Sequence, residues 1–160
     1  AYEISVGETG RMIVQATSTP LEMDRSGVYD ILLFDTAYLE YLNGVTEFIR
    51  VTQNNTMDLK GGNINYIKAM RYASPELGDE NIFIYAYENS WSWIDNDPLK
   101  GIQGIWLDSG LPFTIQFIND NTFDMSPTWM SVKVIPEPAT IMLFTVGGVC
   151  LLREQCTRRR

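Results

Sequence analysis

NIFIYAYE, residues Asn81–Glu88, places Ile82, Ile84 and Ala86 on one side of an extended chain and Phe83, Tyr85 and Tyr87 on the other. Successive side chains of a strand point to opposite faces, so this period of two in apolar and aromatic residues predicts a β-strand. The pattern recurs in both directions along the chain, at Arg11–Thr17, Val28–Asp35, Asn63–Tyr72, Phe113–Asn119 and Trp129–Val134. Turn formers lie between these runs: Asn54-Asn55, Lys60-Gly61-Gly62, Ser74-Pro75, Asp95-Asn96-Asp97-Pro98 and Asp108-Ser109-Gly110. Thr36–Leu42 admits two readings. It is a short helix ended by Gly44, or the first arm of a hairpin turning at Asn43-Gly44 into Val45–Thr52, and Asn-Gly chemistry favours the hairpin. No internal repeat stands out. Many short strands with frequent turns predict an all-β fold, a two-sheet antiparallel β-sandwich or jelly roll.

Composition narrows the chemistry. The 160 residues suit one domain, and residues 1–134 carry 8 Lys/Arg against 18 Asp/Glu, a net charge of −10. Such a body is a poor ligand for nucleic acid, whose phosphates are neutralised by Lys and Arg. Histidine is absent, and both cysteines, Cys150 and Cys156, lie near the C-terminus. Residues 1–134 therefore hold no disulfide, no thiolate nucleophile, no Cys/His zinc site and no histidine base. Glu76, Asp79 and Glu80 are close in sequence but sit in a turn-like Ser-Pro-Glu-Leu-Gly-Asp context. A non-enzyme is expected.

The C-terminus has a different character. Residues 134–160 read VIPEPATIMLFTVGGVCLLREQCTRRR: Pro136-Glu137-Pro138, then fourteen residues without charge from Ala139 to Leu152, then arginines ending in Arg158, Arg159 and Arg160. Prolines keep the triplet extended. Fourteen residues at about 1.5 Å each reach about 21 Å of a roughly 30 Å hydrocarbon layer, so a helix here relies on snorkelling arginines and local thinning. Triplet, apolar run, Gly147-Gly148 and terminal arginines together resemble the PEP-CTERM sorting signal of exported proteins in Gram-negative, exopolysaccharide-making bacteria. Glu154 to Thr157 depart from it by separating Arg153 from the final arginines.

The resemblance implies that this tail halts the protein in the inner membrane. There exosortase, a membrane cysteine protease, would cleave near Pro136, Glu137, Pro138 and Ala139. It implies a body of residues 1–134, a sorting signal of residues 135–160 with a short hydrophobic helix, and a cell-surface or extracellular destination. An exported protein is expected to have lost an N-terminal signal peptide, consistent with a chain starting at Ala1.

Two groups of residues in the body are candidate ligand sites. Asp95, Asn96 and Asp97 crowd oxygen donors into one loop, and Asp120 and Asp124 lie in a second with Asn119 and Asn121. Calcium takes six to eight such oxygens, but Asp and Asn are also ordinary turn residues, and neither run has the EF-hand glycine and closing glutamate. Trp91, Trp93, Trp106 and Trp129 are candidates for a sugar-stacking platform, with Trp91 and Trp93 on one face if their segment is extended, although tryptophans also serve as large core residues. The leading functional expectation is a structural protein of the cell surface or extracellular matrix that self-assembles into a filament, tube or sheath. The alternative is a carbohydrate-binding module of the exopolysaccharide matrix, assisted by calcium at the acidic loops.

Overall fold

The computed structural model describes residues 3–15, 28–52, 54–70, 81–119 and 126–136. Twelve strands follow in chain order: β1 (Glu3–Val6), β2 (Arg11–Val14), β3 (Val28–Leu33), β4 (Tyr38–Tyr41), β5 (Val45–Thr52), β6 (Thr56–Leu59), β7 (Asn63–Met70), β8 (Ile82–Tyr85), β9 (Ser92–Trp93), β10 (Gly101–Ile105), β11 (Pro112–Phe117) and β12 (Val132–Ile135). Two short 3-10 turns, Ile94–Asn96 and Thr128–Ser131, precede β10 and β12.

The strands form two sheets, with order β1-β3-β5-β7-β11-β10-β9 in the first and β12-β8-β6-β4-β2 in the second. The chain alternates between sheets through β8, and each strand lies parallel to the one two places earlier. Strands β11 and β12 then add a fifth layer, parallel to β7 and β8. This is a β-solenoid: each coil, or rung, lays one strand in either sheet. The expected antiparallel sandwich or jelly roll is therefore corrected. Among the described residues, antiparallel pairing in the sheets is confined to β9, β10 and β11, with an isolated bridge between Ala86 and Trp106. Parallel neighbours need a long crossover, usually a helix. Here a strand of the opposite sheet does that job.

The hairpin expected at Asn43-Gly44 is corrected as well. Its two arms are β4 and β5, but β4 pairs with β2 and β6 while β5 pairs with β3 and β7. Asn43-Gly44 is a corner between sheets. The helical reading of Thr36–Leu42 fails too, since Tyr38–Tyr41 is extended. Part of the strand expected at Trp129–Val134 is the 3-10 turn, with β12 starting at Val132. The tail helix expected after Pro136 lies outside the described residues.

A repeat also exists, contrary to the sequence reading. Ile31 pairs with Ile49 and Ile49 with Ile67, each eighteen residues on, and Tyr38 pairs with Thr56 at the same interval. The other rungs keep this register around longer connections. Stacked rungs build the core as ladders. Ile4, Ile31, Ile49, Ile67 and Phe117 form one row and Val6, Leu33, Val51 and Ala69 a second. The opposite sheet supplies Met12, Leu39, Met57, Ile82 and Val132, and beside them Val14, Tyr41, Leu59, Ile84 and Val134. Most of these are fully buried, each stabilising by about 1.5–3 kcal/mol against exposure.

Corners carry the polar side of the design. Gly44 and Gly62 occupy equivalent corners with φ of 134° and 84°, and a Cβ on Gly62 would come within 2.9 Å of the Gly44 backbone. At the opposite corner Asn55, 1% exposed, accepts hydrogen bonds from Thr52 N and Oγ1 at 2.7 Å and donates to Asp35 O at 3.0 Å. Asn81 repeats the donating half of the device one rung later, giving its amide protons to Thr52 O and Asn55 O. These amides satisfy corner backbone groups that parallel pairing leaves over.

Besides Asn81 Oδ1 and Ser131 Oγ, the exception among the described residues is Tyr41. Its hydroxyl is buried with no hydrogen-bond partner among the described residues, and burial raises its pKa. An unsatisfied buried hydroxyl carries its full desolvation cost. Tyr41→Phe is expected to leave stability unchanged or raise it by about 1 kcal/mol in urea melts, against the usual loss for a core substitution.

Candidate functional site

Three surfaces are built by this frame. The first is the outer face of the second sheet, where polar side chains tie rung to rung. Glu40 on β4 receives Arg11 Nη2 of β2 at 3.2 Å and Lys60 Nζ, just past β6, at 2.7 Å. Tyr38 Oη donates to Asp58 at 2.7 Å, Arg11 lies over the Tyr38 ring, and Lys60 lies over Tyr85. The hydrogen bond from Lys60 holds the Glu40 carboxyl below its ordinary pKa, with Arg11 adding to it against the opposing effect of burial. The same bond raises Lys60. Burial, and then the bond to Asp58, raises Tyr38.

The signs fix a pH profile. Glu40, depressed in the folded state, contributes stability above its unfolded pKa and loses it as pH falls through the lowered folded value. Lys60, raised in the folded state, contributes below its unfolded pKa and loses it as pH climbs through the raised value. Stability should form a plateau across neutral pH with a decline on either side. Glu40→Gln should flatten both limbs, which chemical denaturation across the pH range measures.

The second surface is a pair of open rung ends. Among the described residues β1 and β2 have no partner on their outer sides at one end, nor has β12 at the other. In the first sheet the far end is occupied instead by β10 and β9, folded back beyond β11. Trp106 pins this hairpin: it stacks on Phe113 at 4.2 Å and its Nε1 donates to Gly62 O at 2.9 Å. Thr128 anchors the approach to β12 by donating to Ile118 O and accepting from Ala69 N.

The third is a groove of about 940 Å³ between the turn at Ser109–Leu111 and the corners at Asn43–Val45 and Gly62–Asn63. Strands β7 and β11 form its floor, where Tyr66 and Gln116 are register partners. Of its lining, the sequence singled out Trp106 as a sugar-stacking candidate, while Asn43, Gly44, Gly62 and Ser109 read only as turn residues. The signal was spatial, because Asn43, Asn63 and Gln116 meet only once the rungs stack.

Of the residues expected to bind calcium or sugar, Trp106 alone lines this groove, and the others lie elsewhere or outside the described residues. Asp95 and Asn96 adopt positive φ in the first 3-10 turn, the Asp95 carboxylate pairs with Lys100 at 2.9 Å, and Asp97 accepts from Leu99 N. No cluster of three metal-ligating side chains occurs among the described residues. Asp120 and Asp124 lie outside them, as do Glu137, Pro138, Ala139, Arg158, Arg159 and Arg160; Pro136 directly follows β12. Trp91 and Trp93 meet edge to face at 5.6 Å and 76°, half-buried against the core, with Trp91 packed over Gly104. Trp93 also meets Phe117 edge-on, and Trp129 packs on the core. No helix among the described residues is long and apolar enough to cross a membrane. Comparison with protein-family models, with characterised proteins and with solved structures returned no match.

Proposed function

We propose that this chain is an exported structural protein of the cell surface or extracellular matrix, and that its copies join head to tail through the ends of the solenoid. The observation that carries the reading is the in-register pair of edges on the second sheet, β2 and β12, which are open among the described residues. Strand β12 continues the ladders of β8, β6, β4 and β2, so the β2 of another copy placed on its free edge would continue them again. Met12 would then fall on Val132 and Val14 on Val134, extending two core rows across the junction. Such a contact is heterologous and does not close on itself, which makes filaments. At that end the first sheet finishes in the two-residue antiparallel strand β9 instead of a rung strand, so the junction is a splice through the second sheet.

The tail enters this reading through its position. Strand β12 runs directly into Pro136, where the sequence resembles an exosortase processing signal, so the edge that would receive the next copy is joined to the segment that would hold the protein in the inner membrane. Processing near Pro136 to Ala139 would free it. Catalysis plays no part, and no cofactor is required.

A net charge of −10 in residues 1–134 opposes association, so assembly should strengthen with salt or divalent cations that screen it. Light scattering and electron microscopy on a chain ending at Pro136 test this. Filaments that lengthen with ionic strength are expected; a monomer at every salt and calcium concentration would remove the assembly reading.

A further inference from the structure

The groove on the first sheet carries an inference that does not depend on assembly. Charged residues make up 20% of the chain, yet none of the sixteen residues lining this groove is charged. Its polar side chains are amides and hydroxyls: Asn43, Asn63, Asn65, Thr114 and Gln116 line it together with Tyr66. Part of this set is already engaged, since Asn43 Oδ1 accepts from Gly44 N and Asn65 Nδ2 donates to Glu47. The side chains of Asn63, Thr114 and Gln116 make no hydrogen bond among the described residues. Phe48 stacks on Tyr66 at 5.1 Å and 19°, fixing the ring orientation beside the Gln116 row. Leu111, 63% exposed, forms an apolar rim.

This chemistry selects its ligand by elimination. An anion would enter a body of net charge −10 and find no cation in the lining, and a cation would find no carboxylate there. A purely apolar ligand would strand the amides, each left unpaired at a cost. A neutral polyhydroxyl compound has neither fault. Its hydroxyls both donate and accept, as primary amides do, and its C–H faces suit an aromatic ring and aliphatic rim. The volume lies at the upper end of the roughly 300–1,000 Å³ typical of ligand clefts, which suits several sugar units. We propose that the uncharged groove between the Ser109–Leu111 turn and the Asn43 and Asn63 corners binds a neutral oligosaccharide, with Tyr66 as stacking platform and Asn63, Thr114 and Gln116 as hydroxyl partners. The site is distinct from the Trp91–Trp93 pair.

The test is calorimetric titration of the chain ending at Pro136 with neutral hexasaccharides of glucose, mannose and galactose, and with oligogalacturonate as the anionic control. At least one neutral series should bind at ligand concentrations up to about 5 mM. Gln116→Glu and Thr114→Glu, both at exposed floor positions, should weaken that binding at least tenfold while melting at the wild-type temperature. Tyr66→Leu should weaken binding to the same degree. Absence of binding by every neutral series, binding that survives both glutamate substitutions, or equal binding of oligogalacturonate would overturn the proposal. Because none of these residues lies on β2 or β12, failure here leaves filament formation as it is, and loss of filaments leaves the titration as it is.

Discussion

Arg50→Ala should lower stability by about 2–3 kcal/mol, a large loss for a residue whose side chain is 41% exposed. The cause is its partner. Asp30 on β3 is almost wholly buried on the outer face of the first sheet, where Arg50 of β5 holds it with Nε at 3.1 Å and with a second bond from Nη2 to Oδ2. Removing the guanidinium strands a buried carboxylate, whereas removing both groups leaves no uncompensated charge. Partial exposure of Arg50 lets water relieve some of the penalty, which places the estimate below the about 3–5 kcal/mol of a fully buried pair. Asp30→Asn in the Arg50→Ala background should therefore recover part of the loss. Urea denaturation of the two variants and the wild type measures it, and equal stability of both variants would show that the pair is solvated.

Asn55→Leu should cost still more, about 3–4 kcal/mol. Its amide serves Thr52 N, Thr52 Oγ1 and Asp35 O, and a leucine of similar size would orphan all three at a buried corner. The same substitution at an exposed turn, as the sequence alone placed Asn55, would change stability by less than about 0.5 kcal/mol. Thermal and chemical melts thus separate a stacked corner from a solvated loop.

The contrast shows how much of the molecule was legible in its sequence. Strand positions were, because alternation in NIFIYAYE or VYDILLFD reflects a buried face whatever the partner's direction. Direction was not. Parallel sheets are usually covered on both faces and read as continuous apolar runs, while half-buried alternation is the habit of antiparallel sheets. A solenoid breaks this association, since its parallel sheets bury one face inward and wet the other. What distinguishes it is recurrence: Ile31, Ile49 and Ile67, or Leu39 and Met57, stand eighteen residues apart. Connections of unequal length after β2 and β7 interrupt that period, and substitutions such as Leu33, Val51 and Ala69 in one row blur it. Short strands β1, β6 and β10 went unseen because four or five residues carry too little alternation.

The candidate sites were less legible for a related reason. Trp91 and Trp93 do share a face, where they meet edge to face half-buried against the core, and Asp95 spends its carboxylate on Lys100. Residues that do gather around open space, such as Asn43, Asn63 and Gln116, are brought together only by the rung register, and single Asn and Gln residues look like turn or surface polarity in a linear reading. The tail is the opposite case. Its order of Pro136-Glu137-Pro138, apolar run and arginines is linear information and needs no fold to be seen.

The head-to-tail junction is tested most directly by a cysteine pair. In the proposed register Lys133 of β12 lies beside Ile13 on the β2 of the next copy, and both are exposed. Within one chain the two strands are four strand spacings apart, roughly 19 Å at about 4.8 Å each, too far for a disulfide. The only natural cysteines, Cys150 and Cys156, are absent from a chain ending at Pro136, so every cross-link must come from the introduced pair. Under mild oxidation Ile13→Cys with Lys133→Cys should give a ladder of covalent oligomers extending well past the dimer, while either single variant stops at dimer. A double variant that also stops at dimer, or does not cross-link at all, would contradict assembly through β12 and β2.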